Sequence, residues 1–264
     1  MNLGISTSCL YPMNTEEALE ILCEGGIERC EVFLNSEGET TPQFAKKLKN
    51  IADAHSVKIV SAHPFSSFSE TFMLFSEYER RFYETLDFYK RFFETASVMG
   101  ADIAVIHGSL LPAKISKEEY FERFSRLIDA GKEFGIRVTP ENVRKHLSES
   151  PDFLKEMKKA LGSDFGLVFD VKQSVLAGYD PVEFAKAFAE DIIHIHISDH
   201  NSENACLPPS KGCFDFSKLF SVMNGANYNG SYIIELYRQN FGKPEELFDA
   251  LAFLRNLLNP LEKY

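Results

Sequence analysis

GLVFD (residues 166–170) and IIHIHIS (residues 192–198) enclose a helix-type segment at 181–190. Both outer stretches are short and rich in Ile, Val, Leu and Phe, which is typical of strands in a parallel sheet that helices cover. The middle segment is introduced by Asp180 and Pro181, residue types that favour an N-cap and a first helical position. The three segments therefore predict a strand–helix–strand unit with parallel strands.

The same unit repeats along the chain, and the repetition predicts the architecture. Eight strand-type and eight helix-type segments in 264 residues correspond to one unit every 33 residues. Because such crossovers are right-handed, residues 1–264 are expected to form a single (β/α)8 TIM-barrel domain. A doubly wound sheet is the competing architecture, and it is less well supported because no GxGxxG pattern follows the first strand. The other predicted strands cover 3–9, 29–34, 57–63, 102–108, 137–142 and 231–237, and the other helices cover 15–25, 41–55, 76–99, 117–134, 151–161, 215–224 and 244–257.

Composition and charge restrict the classes of partner. Asp and Glu outnumber Lys and Arg by 39 to 28, so the formal net charge is −11 and the surface as a whole should repel nucleic acid and anionic membranes. No apolar run is long enough to span a bilayer, and the beginning of the sequence lacks the basic region of a signal peptide. The five Cys residues form no CxxC pair, which favours a reducing compartment. We therefore expect a soluble cytoplasmic protein of the size of an enzyme.

Ionisable side chains close six successive predicted strands. The carboxyl ends of the strands of such a barrel face one mouth, so these side chains should converge there. A single polar residue at a strand end is commonly a cap for a loop, but six in succession indicate a site. Strand by strand they are His63, His107, Glu141, Asp170, His196 with Asp199 beyond it, and Glu235.

The carboxylates of Glu141, Asp170 and Glu235 would repel one another at short distance and so raise each other's pKa or destabilise the fold. A divalent cation removes that cost. Together with the imidazole of His196, the three carboxylates form an oxygen-rich donor set. Such a set suits Mn²⁺ or Mg²⁺ and also accepts Co²⁺ or Zn²⁺. We therefore expect one divalent metal ion as the cofactor.

Several motifs follow one another in the second half of the chain, namely PEN (140–142), LVFD (167–170), HIHISD (194–199), GCFDF (212–216) and GSYIIE (230–235). This series resembles the strand 5 to strand 8 signature of the xylose isomerase-like barrels. That family includes sugar isomerases, ketose 3-epimerases, inosose dehydratases and apurinic endonucleases. The resemblance covers essentially the whole chain and is specific for the superfamily, although this fold hosts many reactions.

The resemblance implies a metal-dependent isomerase or epimerase of a sugar or sugar phosphate, in which a proton next to a carbonyl group is removed and returned. It also gives Glu141 and Glu235 an acid/base role. Gln173 departs from the pattern, because many relatives have a His there and a Gln cannot carry a proton near neutral pH. The residues that match the four metal ligands shared by isomerases and epimerases are Glu141, Asp170, His196 and Glu235.

Six further residues are candidates for substrate contacts. His63 and His107 would line the pocket and orient substrate oxygens, unless each is buried and bonded to a neighbouring strand. Gln173 could hold a substrate hydroxyl, and the other three would contact hydroxyl or phosphate groups or would be solvated at the surface. His194 shares a strand face with His196 and could replace it as the inward ligand only in a different register. The six candidates are His63, His107, Lys172, Gln173, His200 and Arg238.

Two other functions stay open. His63 and His107 also match positions that bind extra metals in the endonucleases, but residues 201–211 lack the further Asp and His, and the negative net charge opposes binding to a phosphate backbone. A non-catalytic sugar-binding barrel is the other alternative, and it would not need to keep three mutually repelling carboxylates. Most aromatic residues of the predicted helix 76–99 should pack against the barrel, whereas an exposed stripe would indicate a homo-oligomer.

Overall fold

The computed structural model describes residues 2–258, and its eight strands form one parallel sheet. Every predicted strand coincides with an observed strand, and the predicted (β/α)8 TIM barrel is confirmed. The strands are β1 (Asn2–Ser6), β2 (Arg29–Phe33), β3 (Lys58–His63), β4 (Ile103–Ile106), β5 (Arg137–Pro140), β6 (Leu167–Asp170), β7 (Ile192–Ile197) and β8 (Ser231–Ile234). The α-helices are α1 (Thr15–Glu24), α2 (Pro42–Ala54), α3 (Glu70–Met73), α4 (Glu79–Met99), α5 (Lys117–Lys132), α6 (Pro151–Leu161), α7 (Val171–Leu176), α8 (Pro181–Ala187), α9 (Phe216–Gly225) and α10 (Glu245–Leu258).

The sheet closes almost completely into a barrel. Neighbouring strands follow the order β5-β4-β3-β2-β1-β8-β7-β6, so β5 and β6 lie at its two ends. A parallel bridge between Glu141 and Val168 joins these ends. The Asn142 side chain strengthens this seam, since its amide nitrogen donates to the Asp170 carbonyl at 3.0 Å and its oxygen accepts from the Asp170 backbone N–H at 2.6 Å. A side chain thus takes the place of ladder hydrogen bonds that β5 and β6 do not make.

The helices cover the barrel and begin where capping residues predict. Asp180 accepts hydrogen bonds from the backbone N–H groups of Val182 and Glu183, with Pro181 at the first helical position of α8. The long helix α4 packs most of its aromatic side chains inside and exposes Tyr83. Across residues 2–258, no helix combines the length and apolarity needed to cross a membrane.

Local differences from the prediction arise at strand ends. Strand β1 stops at Ser6 because a 3-10 turn begins at Thr7, and helix α8 ends at Ala187. Two short helices, α3 and α7, lie in predicted loops. Helix α7 follows β6 directly, because Asp170 is both the last strand residue and the N-cap, its Oδ1 accepting from the Gln173 backbone N–H at 2.9 Å.

Replacing Asn142 with Ala should destabilise the seam between β5 and β6. The change leaves the buried backbone N–H and carbonyl of Asp170 without their side-chain partners. Each unsatisfied buried group costs about 1–3 kcal/mol, so we expect the free energy of unfolding in urea to fall by about 3 kcal/mol. Asn201→Ala is the control, because the Asn201 side chain accepts two backbone hydrogen bonds in an exposed loop. A similarly small loss in both variants would contradict this role of Asn142.

Candidate functional site

Strand ends bring the predicted metal ligands to one mouth of the barrel. His196 lies near the end of β7, Asp170 ends β6, and Glu141 and Glu235 directly follow β5 and β8. One donor atom from each of these residues lies within 4.8 Å of the donor atoms of the other three. These four residues are called the quartet below.

The Nδ1 atom of His196 faces the three carboxylates of the quartet. It lies 3.5 Å from Glu141 Oε1, 3.7 Å from Asp170 Oδ2 and 3.6 Å from Glu235 Oε2. This nitrogen is buried and has no hydrogen-bond partner among the described residues. Buried polar atoms normally have partners, and an imidazole nitrogen facing carboxylate oxygens is a donor set suited to a divalent metal. The residues present therefore fit the predicted ion.

A carboxylate that was not predicted lies on the other side of the His196 ring. Glu31 on β2 is completely buried. Its Oε2 accepts hydrogen bonds from His196 Nε2 at 2.9 Å, from His194 Nε2 at 3.1 Å and from Ser61 Oγ at 2.8 Å. His194 therefore faces the barrel interior together with His196 and does not replace it. The only sequence signal for Glu31 is an acidic residue inside the apolar strand CEVF (30–33).

Lys172 is buried, not solvated. Its ammonium lies 2.7 Å from Glu235 Oε2, 3.0 Å from Asp170 Oδ2 and 4.9 Å from the centre of the Tyr237 ring. Burial raises the pKa of the Asp170 carboxyl, although the positive charge of Lys172 opposes the shift. Lys172 thus pairs with two carboxylates of the quartet, whereas Glu141 and Glu31 lie against imidazoles. Four carboxylates against one ammonium group leave an excess of negative charge that a divalent cation would balance.

The pKa values of the two predicted acid/base residues are lowered. Burial alone would raise the pKa of the Glu141 carboxyl, but hydrogen bonds and charges from His107 and His196 hold it well below its ordinary value. Burial opposes the lowered pKa of Glu235 as well, and there the charges of Lys172 and His196 prevail. Both carboxyls are therefore ionised near neutral pH, as a base that removes a proton from carbon must be.

A pocket of about 490 Å³ opens at the quartet. Glu141 and Glu235 line it, so the two predicted acid/base residues can reach a bound molecule. Four of the six predicted substrate contacts also line the pocket, and aromatic or aliphatic side chains form much of the remaining wall. The four predicted contacts are His107, Lys172, Gln173 and Arg238, and the apolar wall comprises Tyr11, Phe33, Phe65, Phe68, Leu236 and Tyr237.

The structure does not bring His63 and His200 to the pocket surface. His63 is completely buried, with its ring stacked on Phe33 at a centroid distance of 5.1 Å. The ring of His200 packs against Phe214 at 5.4 Å, outside the pocket lining. Barrel packing and loop packing thus hold both side chains outside the pocket lining, and their substrate contacts stay a prediction.

Asp199 organises the loop after β7. Its Oδ1 accepts from the backbone N–H groups of His200 and Phe214, and its Oδ2 accepts from those of Ser210 and Gly212. The carboxylate is buried and thus holds both ends of the segment 200–214. Asp199 therefore caps this loop, as a single polar residue at a strand end commonly does.

A second group of possible metal ligands shares Glu141 with the quartet. It consists of His63, His107 and Glu141, and His107 Nε2 lies 3.2 Å from Glu141 Oε2. Burial lowers the pKa of His63 to about 4, so its imidazole is neutral near pH 7 and able to bind a metal. This group is where the endonuclease alternative would place an additional ion.

Residues 18–257 match the family described as xylose isomerase-like TIM barrel. The chain belongs to this family. It is 24% identical over 248 residues to the inosose dehydratase of Clostridium beijerinckii, with 83% of this chain and 81% of that protein covered. A solved D-tagatose 3-epimerase-like protein matches with a TM-score of 0.83 at 22% identity, covering 100% of this chain and 99% of that one. The IOLI protein with a binding zinc atom matches with a TM-score of 0.74 at 18% identity, again over 100% and 99%.

Another buried carboxylate that was not predicted, Glu70 on α3, fastens the loop after β3. Its Oε2 accepts from the Gly108 backbone N–H at 2.6 Å, and its Oε1 accepts from the Tyr89 hydroxyl at 2.9 Å. Burial raises the pKa of Glu70 to about 7, although the charge of His107 and these hydrogen bonds oppose the shift. The loop that carries Phe65 and Phe68 in the pocket wall is thus held by a group that titrates near neutral pH.

Glu70→Gln should remove a loss of stability that the wild-type protein undergoes as the pH rises. The pKa of Glu70 is about 7 in the folded protein against an ordinary 4.5, so the folded state holds a proton that the unfolded chain releases between these values. The contribution of Glu70 to stability is therefore complete below the lower pKa and is lost as the pH rises through the higher one. We expect the urea midpoint of the variant to gain on that of wild type between about pH 5 and about pH 8. A difference between the two proteins that stays constant with pH would contradict the raised pKa.

Proposed function

We propose that this protein is a divalent-metal-dependent isomerase or epimerase that moves a proton on the carbon next to the carbonyl group of a sugar. The observation that carries the proposal is His196 Nδ1, which faces three carboxylate oxygens at 3.5, 3.6 and 3.7 Å beside a pocket. Removing a proton from carbon requires a base and a positive charge that stabilises the resulting anion. The quartet would provide both functions at one place.

The names of the similar proteins support a sugar substrate. The sequence relative from Clostridium beijerinckii is an inosose dehydratase, and a solved structure of the same fold is named a D-tagatose 3-epimerase-like protein. Both names describe modification of polyhydroxylated carbonyl compounds. The fold alone hosts many reactions, so the substrate class for this chain also has to be supported by its own pocket.

The quartet would hold the metal ion, which when bound supplies positive charge to the substrate oxygens. Glu141 and Glu235 perform the proton transfers in this proposal. They follow strands β5 and β8 and both line the pocket, so they reach a bound molecule from different parts of the mouth. A carboxylate oxygen of one residue takes the proton from carbon. The other residue, which must first take up a proton from solvent because it is ionised near neutral pH, delivers that proton to the neighbouring carbon in an isomerisation, or to the opposite face of the same carbon in an epimerisation. The first residue then releases its proton to solvent, and in an isomerisation the hydroxyl proton of the substrate also passes to its carbonyl oxygen.

Two polar residues would orient the hydroxyl groups. The Gln173 side-chain oxygen accepts from the Arg144 backbone N–H at 3.1 Å, which leaves the Gln173 amide nitrogen as a donor at the pocket wall. His107 lines the pocket and bonds Glu141, so it can contact a substrate oxygen and steady the carboxylate at once. Neither role requires Gln173 to carry a proton.

The pocket favours an uncharged sugar over a sugar phosphate. Lys172 is already paired with two carboxylates, and the Arg238 guanidinium donates to the carbonyls of Phe241 at 2.9 Å and Gly242 at 3.1 Å. The lysine and the arginine of the pocket lining thus have partners within the protein, and His107 is paired with Glu141. Tyr237 instead offers an aromatic face, against which the C–H groups of a sugar can pack.

Elimination of water is a second candidate reaction, favoured by the position of Lys172. Dehydration begins with the same removal of a proton next to a carbonyl, but it also needs an acid that protonates the departing hydroxyl group. The Lys172 ammonium lines the pocket 2.7 Å from Glu235 Oε2, where it could donate that proton. Mass spectrometry of the product separates the two reactions, since an isomer keeps the mass of the substrate and an elimination product loses one water.

Elemental analysis of the purified protein should find one divalent metal ion per chain. Adding Mn²⁺, Mg²⁺, Co²⁺ or Zn²⁺ to chelator-treated protein should raise the Tm, because an ion at 100 times its Kd stabilises the folded state by about 2.7 kcal/mol. Close to three zinc ions per chain would instead favour the endonuclease alternative. If no ion is bound and none raises the Tm, the metal-dependent reaction is wrong.

Glu235→Gln should abolish turnover and weaken metal binding, because an amide accepts no proton from carbon and is a weaker ligand than a carboxylate. We expect kcat to fall by about 10²–10⁴-fold. Exchange of substrate hydrogen with deuterated solvent, measured by NMR over a panel of ketoses and aldoses, reports the proton transfer directly.

His200→Ala is the matched control for Glu235→Gln, because His200 lies at the same end of the barrel but outside the pocket lining. It should keep both the metal and the exchange activity. Full exchange activity in Glu235→Gln would contradict the assigned proton transfer.

A further inference from the structure

We propose that Glu31 is a positioning residue that keeps a proton on His196 Nε2 and thereby leaves Nδ1 free to bind the metal ion. This inference rests on the metal site of the proposed function. Glu31 does not line the pocket and lies behind the His196 ring, on the side away from the three carboxylates. Its role is therefore to hold a ligand and not to touch substrate.

One oxygen of Glu31 collects three donors. Oε2 accepts from His196 Nε2 at 2.9 Å, from His194 Nε2 at 3.1 Å and from Ser61 Oγ at 2.8 Å, all of them completely or almost completely buried. The contacts with His194 and Ser61 fix the carboxylate in place independently of His196. A buried carboxylate held in this way is a rigid acceptor for the His196 ring.

Two strand irregularities build this arrangement. Strand β3 carries one extra residue, Val60, against β2, which brings Ser61 opposite Glu31. Strand β7 carries one extra residue, Ile193, against β6, just before His194. Bulges re-aim the side chains that follow them and are common beside active sites. The two bulges lie on different strands, and each immediately precedes a donor to Glu31.

The need for Glu31 follows from the competition between the two ring nitrogens. Glu141, Asp170 and Glu235 attract a proton to His196 Nδ1, the atom that a metal ion must reach. A ring that binds a metal ion through Nδ1 keeps its one remaining proton on Nε2, so the Nδ1 proton and the positive charge of His196 would be lost on binding. The Glu31 carboxylate stabilises the proton on Nε2 and so favours the ligand form. Carboxylates behind a ligating His have this orienting effect in metal sites generally.

The test is Glu31→Gln, which preserves size and removes the charge. We expect the affinity for Mn²⁺, measured by isothermal titration calorimetry, to fall by about 10–100-fold. We also expect the downfield proton signal of His196 Nε2–H, observed by ¹⁵N-edited NMR of the metal-free protein and assigned with His196→Gln, to shift or vanish. A merely structural role would leave that signal in place in a variant that still folds.

Glu70→Gln is the matched control, because Glu70 is also a completely buried carboxylate but contacts no member of the quartet. It should retain the Mn²⁺ affinity of wild type within about twofold. Should Glu31→Gln fail to fold, Glu31→Asp keeps the charge, moves it back from Nε2 and should show a smaller loss of the same kind. Wild-type Mn²⁺ affinity in the folded variant would overturn the inference.

The NMR signal separates this inference from the proposed function. If wild-type protein binds no Mn²⁺ yet shows a His196 Nε2–H signal that Glu31→Gln removes, the metal-dependent reaction fails while the role of Glu31 in holding the proton stands. If wild-type protein binds Mn²⁺ and the signal is unaffected by Glu31→Gln, the positioning role is wrong while the metal site stands.

Discussion

Buried negative charge around His196 is the constraint on which the rest of the site depends. Each ion removed from water costs several kcal/mol unless it meets opposite charge and hydrogen-bond donors. On the β2 side, two imidazoles and a serine donate hydrogen bonds to Glu31. On the β6 side, Lys172 pairs with Asp170 and Glu235. Between them lies a set of donor atoms that could hold a divalent cation. The carboxylates concerned are Glu31, Glu141, Asp170 and Glu235.

The backbone is irregular at the places where this charge is assembled. A regular strand alternates its side chains, so each bulge in β3 and β7 changes which residues face the interior. The seam between β5 and β6 is completed by the side chain of Asn142, next to Glu141. Asp170 ends one element and starts another, which places Lys172 and Gln173 at the pocket within a single helical turn. Departures from the ideal barrel are therefore concentrated at the site.

The sequence predicted the barrel and the quartet because both depend on repeating features, namely the strand–helix period and the polar residue at each strand end. Glu31 could not be predicted in this way, since it lies within a strand and its inward orientation depends on pairing with β3. Lys172 was expected near the mouth, but its burial follows from helix α7 beginning without a loop. His63 and His200 occupy the predicted region, yet side-chain packing that no strand pattern encodes keeps them from the pocket.

Isomerisation, epimerisation and dehydration share their first step, so the quartet alone does not distinguish them. The distinction depends on which group supplies the second proton and to which atom. Gln173 has no proton to give near neutral pH, so the candidate donors that line the pocket are His107, Lys172 and the carboxylic acid formed at Glu141 or Glu235. The Lys172 ammonium donates a hydrogen bond to Glu235 at 2.7 Å and makes none to Glu141. A substrate oxygen next to Glu235 would therefore have Lys172 as an additional proton donor. The pocket is thus chemically asymmetric, and in the proposed reaction the orientation of the carbonyl group between β5 and β8 would decide the product.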